Sequence, residues 1–191
     1  MTRETDSLLN SLRYSNQLKR TARTGWVQRG VPDAENVAAH SFGVAFIALM
    51  LAETIDEVVD IGRMLSMALL HDLPEAVTTD IPTPSWRLLP PGSKAEVEAS
   101  VLNEIFAKSA FRDSGFDLWE EFQEAESLES RIVHDADRID MYLQATAYAE
   151  QTRNMNLAEF WNANPTFYLP ISRRVYEDLA VHFSKALDPP D

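Results

Sequence analysis

His71 and Asp72 are adjacent, they close an apolar run beginning Ala68-Leu69-Leu70, and Pro74 and Glu75 follow within one helical turn. The apolar residues carry this segment into a core, and two metal-capable side chains go with it. An ionised carboxylate in a core needs a partner, and the simplest partner is a cation. His40 upstream and Asp137 downstream offer two further donors. Two imidazoles and two carboxylates suit one borderline divalent ion such as Mn, Fe, Co, Ni or Zn, with Mg as a harder alternative. The chain has no cysteine, so thiolate ligands and disulfides do not enter. Each residue also has an ordinary use: His40 as a hydrogen-bonded core histidine, Asp72 as a cap before Pro74, Asp137 as one side of an i,i+3 contact in the run Asp135 to Asp140. It is the four together that point to a metal.

The elements that must position them read as helices. Val37, His40, Val44, Ile47 and Leu51 form one stripe of a helix over about 35–54, so His40 faces inward near its start. Ile61, Leu65, Ala68 and Asp72 lie on one line of a helix over about 57–71, which Pro74 should end. Neighbouring residues diverge by about 100° on a helix, so His71 and Asp72 can share an ion only at a helix end, which is where they stand. Ser127 caps a long helix to about residue 153, with Ile132, Ala136, Ile139 and Leu143 as its core line and Val133, Asp137, Asp140 and Gln144 beside it. Elsewhere an irregular stripe of Leu8, Leu9, Leu12, Tyr14 and Leu18 gives a first helix over 5–20. Residues 19–35 read as a loop holding Arg20, Arg23, Arg29 and Trp26, either a wall for a planar or phosphorylated ligand or a surface loop with one tucked tryptophan. Residues 76–93, with four prolines, read as a long binding loop. Ser93 with Glu96 reads as a capping box for a helix to about 109, with Val97, Val101, Leu102, Ile105 and Phe106 inward. A short helix over 116–125 and a final pair over 156–163 and 171–187 follow, before a tail (188–191) expected to be disordered. No strand pattern and no internal repeat is present, so the expected fold is all-α, one domain over 1–191.

The 191 residues are 45% hydrophobic, enough for a substantial core. A net charge of −13 argues against a nucleic-acid polymer as partner, because phosphate backbones need a basic face. It leaves room for a small anion held by one or two local cations. The segment Met1 to Asn10 has no signal-peptide core, and no apolar run approaches the roughly 20 residues that span a bilayer. The expected location is the cytosol, with no membrane partner.

The pattern His40, His71-Asp72, Asp137 resembles the H…HD…D signature of the HD superfamily of metal-dependent phosphohydrolases. The likeness extends to QLKRTARTGW (17–26), ENVAAHS (35–41), LLHDLPEAVTTDIPTP (69–84), LWEEF (118–122) and DADRIDMYLQA (135–145), which are similar to the YfbR-like 5′-deoxynucleotidases and their eukaryotic HD-domain relatives. The resemblance implies a helical HD bundle that removes phosphate from deoxyribonucleoside 5′-monophosphates. It implies one divalent metal on His40, His71, Asp72 and Asp137, with Glu75 and Asp80 in proton transfer or near the sugar. Arg23 and Lys94 would neutralise phosphate, and Trp26 would limit space at the sugar. Two departures stand out. Ala39 replaces an acidic residue usual before the first histidine, a candidate orienter of that ligand, and Gly25 stands where some bacterial relatives have arginine. Relatives are commonly homodimers, and Trp119, Phe122 and Trp161 are candidates for an interface or for the core. The alternative functions are another HD phosphodiesterase or pyrophosphohydrolase, or a nucleotide sensor without turnover.

Overall fold

The structure is a computed structural model and describes residues 3–187. It is all-α, and among the described residues the only β pairing is an isolated bridge between Ala22 and Asn36. In chain order the helices are α1 (Arg3–Gln17), α2 (Thr24–Gln28), α3 (Val37–Ala52), α4 (Ile61–Leu70), α5 (Glu75–Thr78), α6 (Thr83–Trp86), α7 (Ser93–Phe106), α8 (Arg112–Glu124), α9 (Leu128–Thr152) and α10 (Pro170–Leu187). Two 3-10 segments, Leu18–Arg20 and Met155–Asn162, join them.

The centre is the pair α3 and α9, with α4 against both and α10 packed on α9. Val44, Ala48 and Leu51 of α3 meet Met64, Met67 and Ala68 of α4 and Ile132, Val133, Ala136 and Ile139 of α9 in one buried cluster. Burying a side chain of this size contributes roughly 1.5–3 kcal/mol, so this cluster fixes the three elements that carry the metal-capable residues. A second cluster joins Leu18, Val37 and Leu73 to Leu102, Ile105 and Phe106 of α7 and Trp119 of α8. A third holds Trp26, Ala145, Tyr148, Leu157 and Phe183 together. Among the described residues no helix is long and apolar enough to cross a membrane.

The ends of the helices follow local chemistry. Ser127 accepts a hydrogen bond from the Ser130 N–H, as expected of a cap. Asn36 caps α3 through the Ala39 N–H, and Asp60 caps α4 through the Arg63 N–H, so α4 starts later than position 57. Ser93 is not a cap. Gly92, at φ +89°, takes that position, because glycine reaches the left-handed region without strain, and Ser93 becomes the first helical residue.

Several other expectations are corrected. Leu8 and Leu12 on α1, Val97 on α7 and Leu143 on α9 are exposed, since each helix buries a narrower stripe than its apolar residues suggest. Helix α8 starts at Arg112 rather than 116, and α7 ends at Phe106 rather than 109. The stretch 19–35 contains the short helix α2, and 76–93 takes in most of α5 and all of α6, each too short to leave a periodic signal. Trp119 and Phe122 are buried, and Trp161 is half-buried and stacked on Tyr176, so these aromatics are core rather than an interface. The tail 188–191 lies outside the described residues.

Candidate active site

Three helices deliver four donors to one point. His40 sits one turn into α3, flanked by the fully buried Val37 and Val44. His71 is the residue at which α4 ends, its N–H still bonded to the Met67 carbonyl at 2.9 Å. Pro74, which has no N–H to donate, then turns the chain into α5, and Asp72 swings to the same side as His71. Asp137 comes from the middle of α9. His40 Nε2 lies 3.3 Å from His71 Nε2, 3.5 Å from Asp72 Oδ2 and 3.2 Å from Asp137 Oδ1, and His71 Nε2 lies 3.3 Å from Asp72 Oδ2. Bonds of about 2.1 Å to one ion would put neighbouring ligands about 3.0–3.4 Å apart, so these separations match a shared metal.

The proton positions agree. His71 Nδ1 is 2.8 Å from the Ala68 carbonyl, which can only accept, so this nitrogen carries the proton and Nε2 presents its lone pair. His40 Nδ1 is 2.7 Å from Asp140 Oδ2 and donates in the same way. Each ring, when neutral, therefore turns its Nε2 lone pair towards the carboxylate oxygens, a cluster that positive charge, as protons or as a metal ion, makes favourable. The same field acts on protons. Burial opposes a charged His40 ring, but hydrogen bonds to Asp137 and Asp140 outweigh it and push His40 up to about 10. His71 is raised against burial by Asp72. Burial would also raise Asp72 and Asp137, yet His71 and His40 respectively hold both well below the carboxylate range. The donor set fits a divalent metal ion, and His40, His71 and Asp72 form a ligand group on geometry alone.

A cavity of about 470 Å³ opens onto this point. Its lining includes the carboxylates Asp72, Glu75, Asp80 and Asp137, the cationic Arg23, Arg29 and Lys94, and the aromatics Trp26, Trp86 and Phe160. Glu75 Oε2 is buried with no hydrogen-bond partner. Burial, then the charges of Asp72 and Asp80, push Glu75 up to about 9, and Arg23 and Lys94 only partly offset this. Arg23 Nη1 is 3.4 Å from Asp72 Oδ2. Burial works against its charge, but Asp72, Asp137, Asp80 and Glu75 raise its pKa further. Lys94 pairs with Glu98 at 3.4 Å and is raised, against burial, by Glu98, Asp72 and Glu75. Thr79 takes φ +60°, a costly conformation for a β-branched residue, and directly after it Asp80 Oδ2 accepts the Thr24 N–H at 2.7 Å. That bond ties the loop after α5 to the start of α2. Trp26 is 2% exposed and donates from Nε1 to Glu35 Oε1 at 2.9 Å, with Tyr148 and Phe160 against its ring.

Comparison with known proteins places this arrangement. The family described as HD domain matches residues 15–170. The human protein named 5′-deoxynucleotidase HDDC2 is 34% identical over 146 residues, 75% of this chain and 69% of that one. The chain belongs to the HD domain family. Its fold matches the crystal structure of the PH0347 protein from Pyrococcus horikoshii with TM-score 0.75 at 37% identity, covering 92% of this chain and 98% of that one. It also matches a conserved hypothetical protein from Pyrococcus furiosus, with TM-score 0.77 at 35% identity over 91% of this chain and 99% of that one.

In this HD domain the residues proposed from the sequence for metal, catalysis and substrate lie close together. Asp72, Asp137, Glu75, Asp80, Arg23, Trp26 and Lys94 line the cavity, and His40 and His71 lie buried behind it. Arg29 lines the cavity as the loop-wall reading expected, whereas four neighbours were not foreseen as site residues: Asp140, Gly43, Glu35 and Phe160. Asp140 carried a signal, since it lies three residues after Asp137 on the same face of α9. Gly43 carried none, because what matters there is an absent side chain. Ala39 is on the exposed side of α3, so the departure noted at that position does not touch the inner face where His40 is held.

Proposed function

We propose that this protein is a metal-dependent phosphomonoesterase that removes the 5′-phosphate from deoxyribonucleoside 5′-monophosphates. The observation that carries the reading is the meeting of the four donors with Glu75, whose Oε2 is buried without a hydrogen-bond partner, and with the cationic Arg23 and Lys94 around one cavity. The human relative's name supplies the substrate class. A divalent cation held by His40, His71, Asp72 and Asp137 would supply Lewis acidity and make water acidic enough to attack near neutral pH.

The chain's own residues do the rest. Arg23 and Lys94 are charged and reach the cavity, where they offset the phosphate's negative charge. Glu75, raised to about 9 by burial and by Asp72 and Asp80 in the metal-free protein, serves as the general acid: its proton goes to the leaving 5′-oxygen, and the proton released by the attacking water restores it. Asp80 keeps the Arg23–Trp26 segment against the cavity through the Thr24 N–H. Trp26, locked by Glu35, occupies the space a 2′-hydroxyl would need, and so favours deoxy sugars by exclusion.

In this reading the described residues form one HD domain working in the cytosol as a homodimer. The surface that supports a second copy is the outer face of α3. That helix has no Asp, Glu, Lys or Arg from Val37 to Ala52, and its one histidine, His40, is buried inward, yet Phe42, Phe46 and Met50 are 72%, 53% and 49% exposed in one i,i+4,i+8 row. On a chain of net charge −13, a neutral apolar face suits a copy of itself.

The test is phosphate release from a panel of deoxy- and ribonucleoside 5′-monophosphates by metal-stripped protein with Mn²⁺, Co²⁺, Mg²⁺ or Zn²⁺ returned. Metal-dependent release from the deoxy substrates is expected. Protein that binds metal and releases phosphate from none of them would refute the proposal.

A further inference from the structure

We propose that Asp140 is the positioning residue that fixes His40 for metal binding, and that Gly43 exists to admit it. The inference rests on the metal reading of the four donors, but not on the identity of the substrate.

One turn of α9 grips both nitrogens of the same imidazole. Asp137 approaches Nε2 from the cavity side at 3.2 Å, and Asp140, three residues on, holds Nδ1 from behind at 2.7 Å. Asp140 is buried, and His40 is fully so. A carboxylate accepting from Nδ1 fixes the tautomer, aims the Nε2 lone pair and makes that nitrogen a better donor. Nothing on the exposed side of α3, where Ala39 lies, can do this.

The close approach of Asp140 to α3 is possible only because position 43 has no side chain. A Cβ at Gly43 would fall 2.0 Å from Asp140 Oδ1 and 2.8 Å from its Cγ. Alanine is otherwise the better helix residue, so glycine in the middle of α3 has a local cost that this contact explains. Glu35 stands beside the pair, with an oxygen within 4.8 Å of the His40 and Asp140 donor atoms, and its other tie is to Trp26.

A rival use of the same three residues is a second cation among Glu35, His40 Nδ1 and Asp140. The 2.7 Å between Nδ1 and Oδ2 is a hydrogen-bond length, shorter than the about 3.0–3.4 Å that two ligands of one ion would keep.

The experiment measures Mn²⁺ and Co²⁺ affinity and stoichiometry of the metal-stripped full chain by chelator competition, with the cobalt absorption spectrum as a second readout. Circular dichroism of the metal-free variants checks the fold. Wild type is expected to bind one ion per chain. Asp140→Ala and Asp140→Leu should bind about 10–100-fold more weakly. Asp140→Asn keeps an acceptor oxygen and should recover much of that loss, which a space-filling role would not predict. Gly43→Ala should weaken binding like Asp140→Ala and alter the cobalt spectrum, although it favours the helix. It keeps the proposal testable if the Asp140 variants do not fold. Wild-type affinity in folded Asp140→Leu or Gly43→Ala would overturn the role of Asp140, as would two ions per chain falling to one in Asp140→Ala. A wild-type chain that takes up no divalent ion would overturn the metal reading itself, which is a different result from either.

Discussion

Glu75→Gln separates a proton held by the fold from an ordinary surface carboxylate. A free glutamate titrates near 4.5, and burial with the Asp72 and Asp80 charges lifts Glu75 to about 9. Between those values the unfolded chain has lost the proton and the folded chain has kept it, so folding takes a proton up. The stabilisation this gives is fully present below pH 4.5 and is lost as the pH rises towards 9. Each pH unit in that window is worth about 1.4 kcal/mol for an unscreened group. Glutamine has no proton to lose. Metal-free Glu75→Gln should therefore gain on the wild type by about 2–3 kcal/mol more at pH 7 than at pH 5, or roughly 5–10 °C in Tm. Denaturant and thermal melts of both chelator-treated proteins at the two pH values measure this. A difference that is the same at both would refute a protonated Glu75, and with it the general-acid role. In the metal-loaded enzyme the same variant should lose about 10²–10⁴-fold in kcat with metal content unchanged.

Trp26→Phe keeps a ring in the third core cluster but gives up the Nε1 bond to Glu35 and some bulk at the cavity, and should raise the ribo-to-deoxy ratio of kcat/KM by roughly tenfold. An unchanged ratio would remove Trp26 from sugar selection. Phe46→Asp places a charge in the uncharged α3 face and should convert the dimer to monomer in light scattering at micromolar concentration, with metal content intact. A dimer that persists would move the interface elsewhere.

The meeting of the four candidate donors was legible because the sequence places them where helix geometry leaves little choice: His40 on an apolar stripe, His71-Asp72 at a helix end set by Pro74, and Asp137 beside the core line of α9. The long helices were legible for the same reason, and Ser127 marked a true cap. What could not be read were relations between distant segments. Glu75 was singled out only through the family resemblance; no local pattern tells that the fold sets it beside Asp72 and Asp80 with Oε2 buried. Helix α2 has five residues and one is Gly25, so it has no periodicity to detect. The apolar residues of α1 exceed the width of its buried stripe, which periodicity cannot measure. The Ser93 capping box failed because the glycine before it could reach a conformation that serine reaches only at a cost.

Asp72 Oδ2 is shared between the two halves of the site. It lies 3.3 Å from His71 Nε2, 3.5 Å from His40 Nε2 and 3.4 Å from Arg23 Nη1. One oxygen thus answers to two imidazoles on the metal side and to a guanidinium on the substrate side. Positive charge placed among the histidines weakens the pull of that oxygen on Arg23 and leaves the guanidinium freer to turn to an incoming anion. By linkage, an anion that draws Arg23 away must strengthen the hold of Asp72 on a cation by the same free energy. Cation and anion are therefore not independent guests of this cavity. Each prepares the other's place, through a single atom.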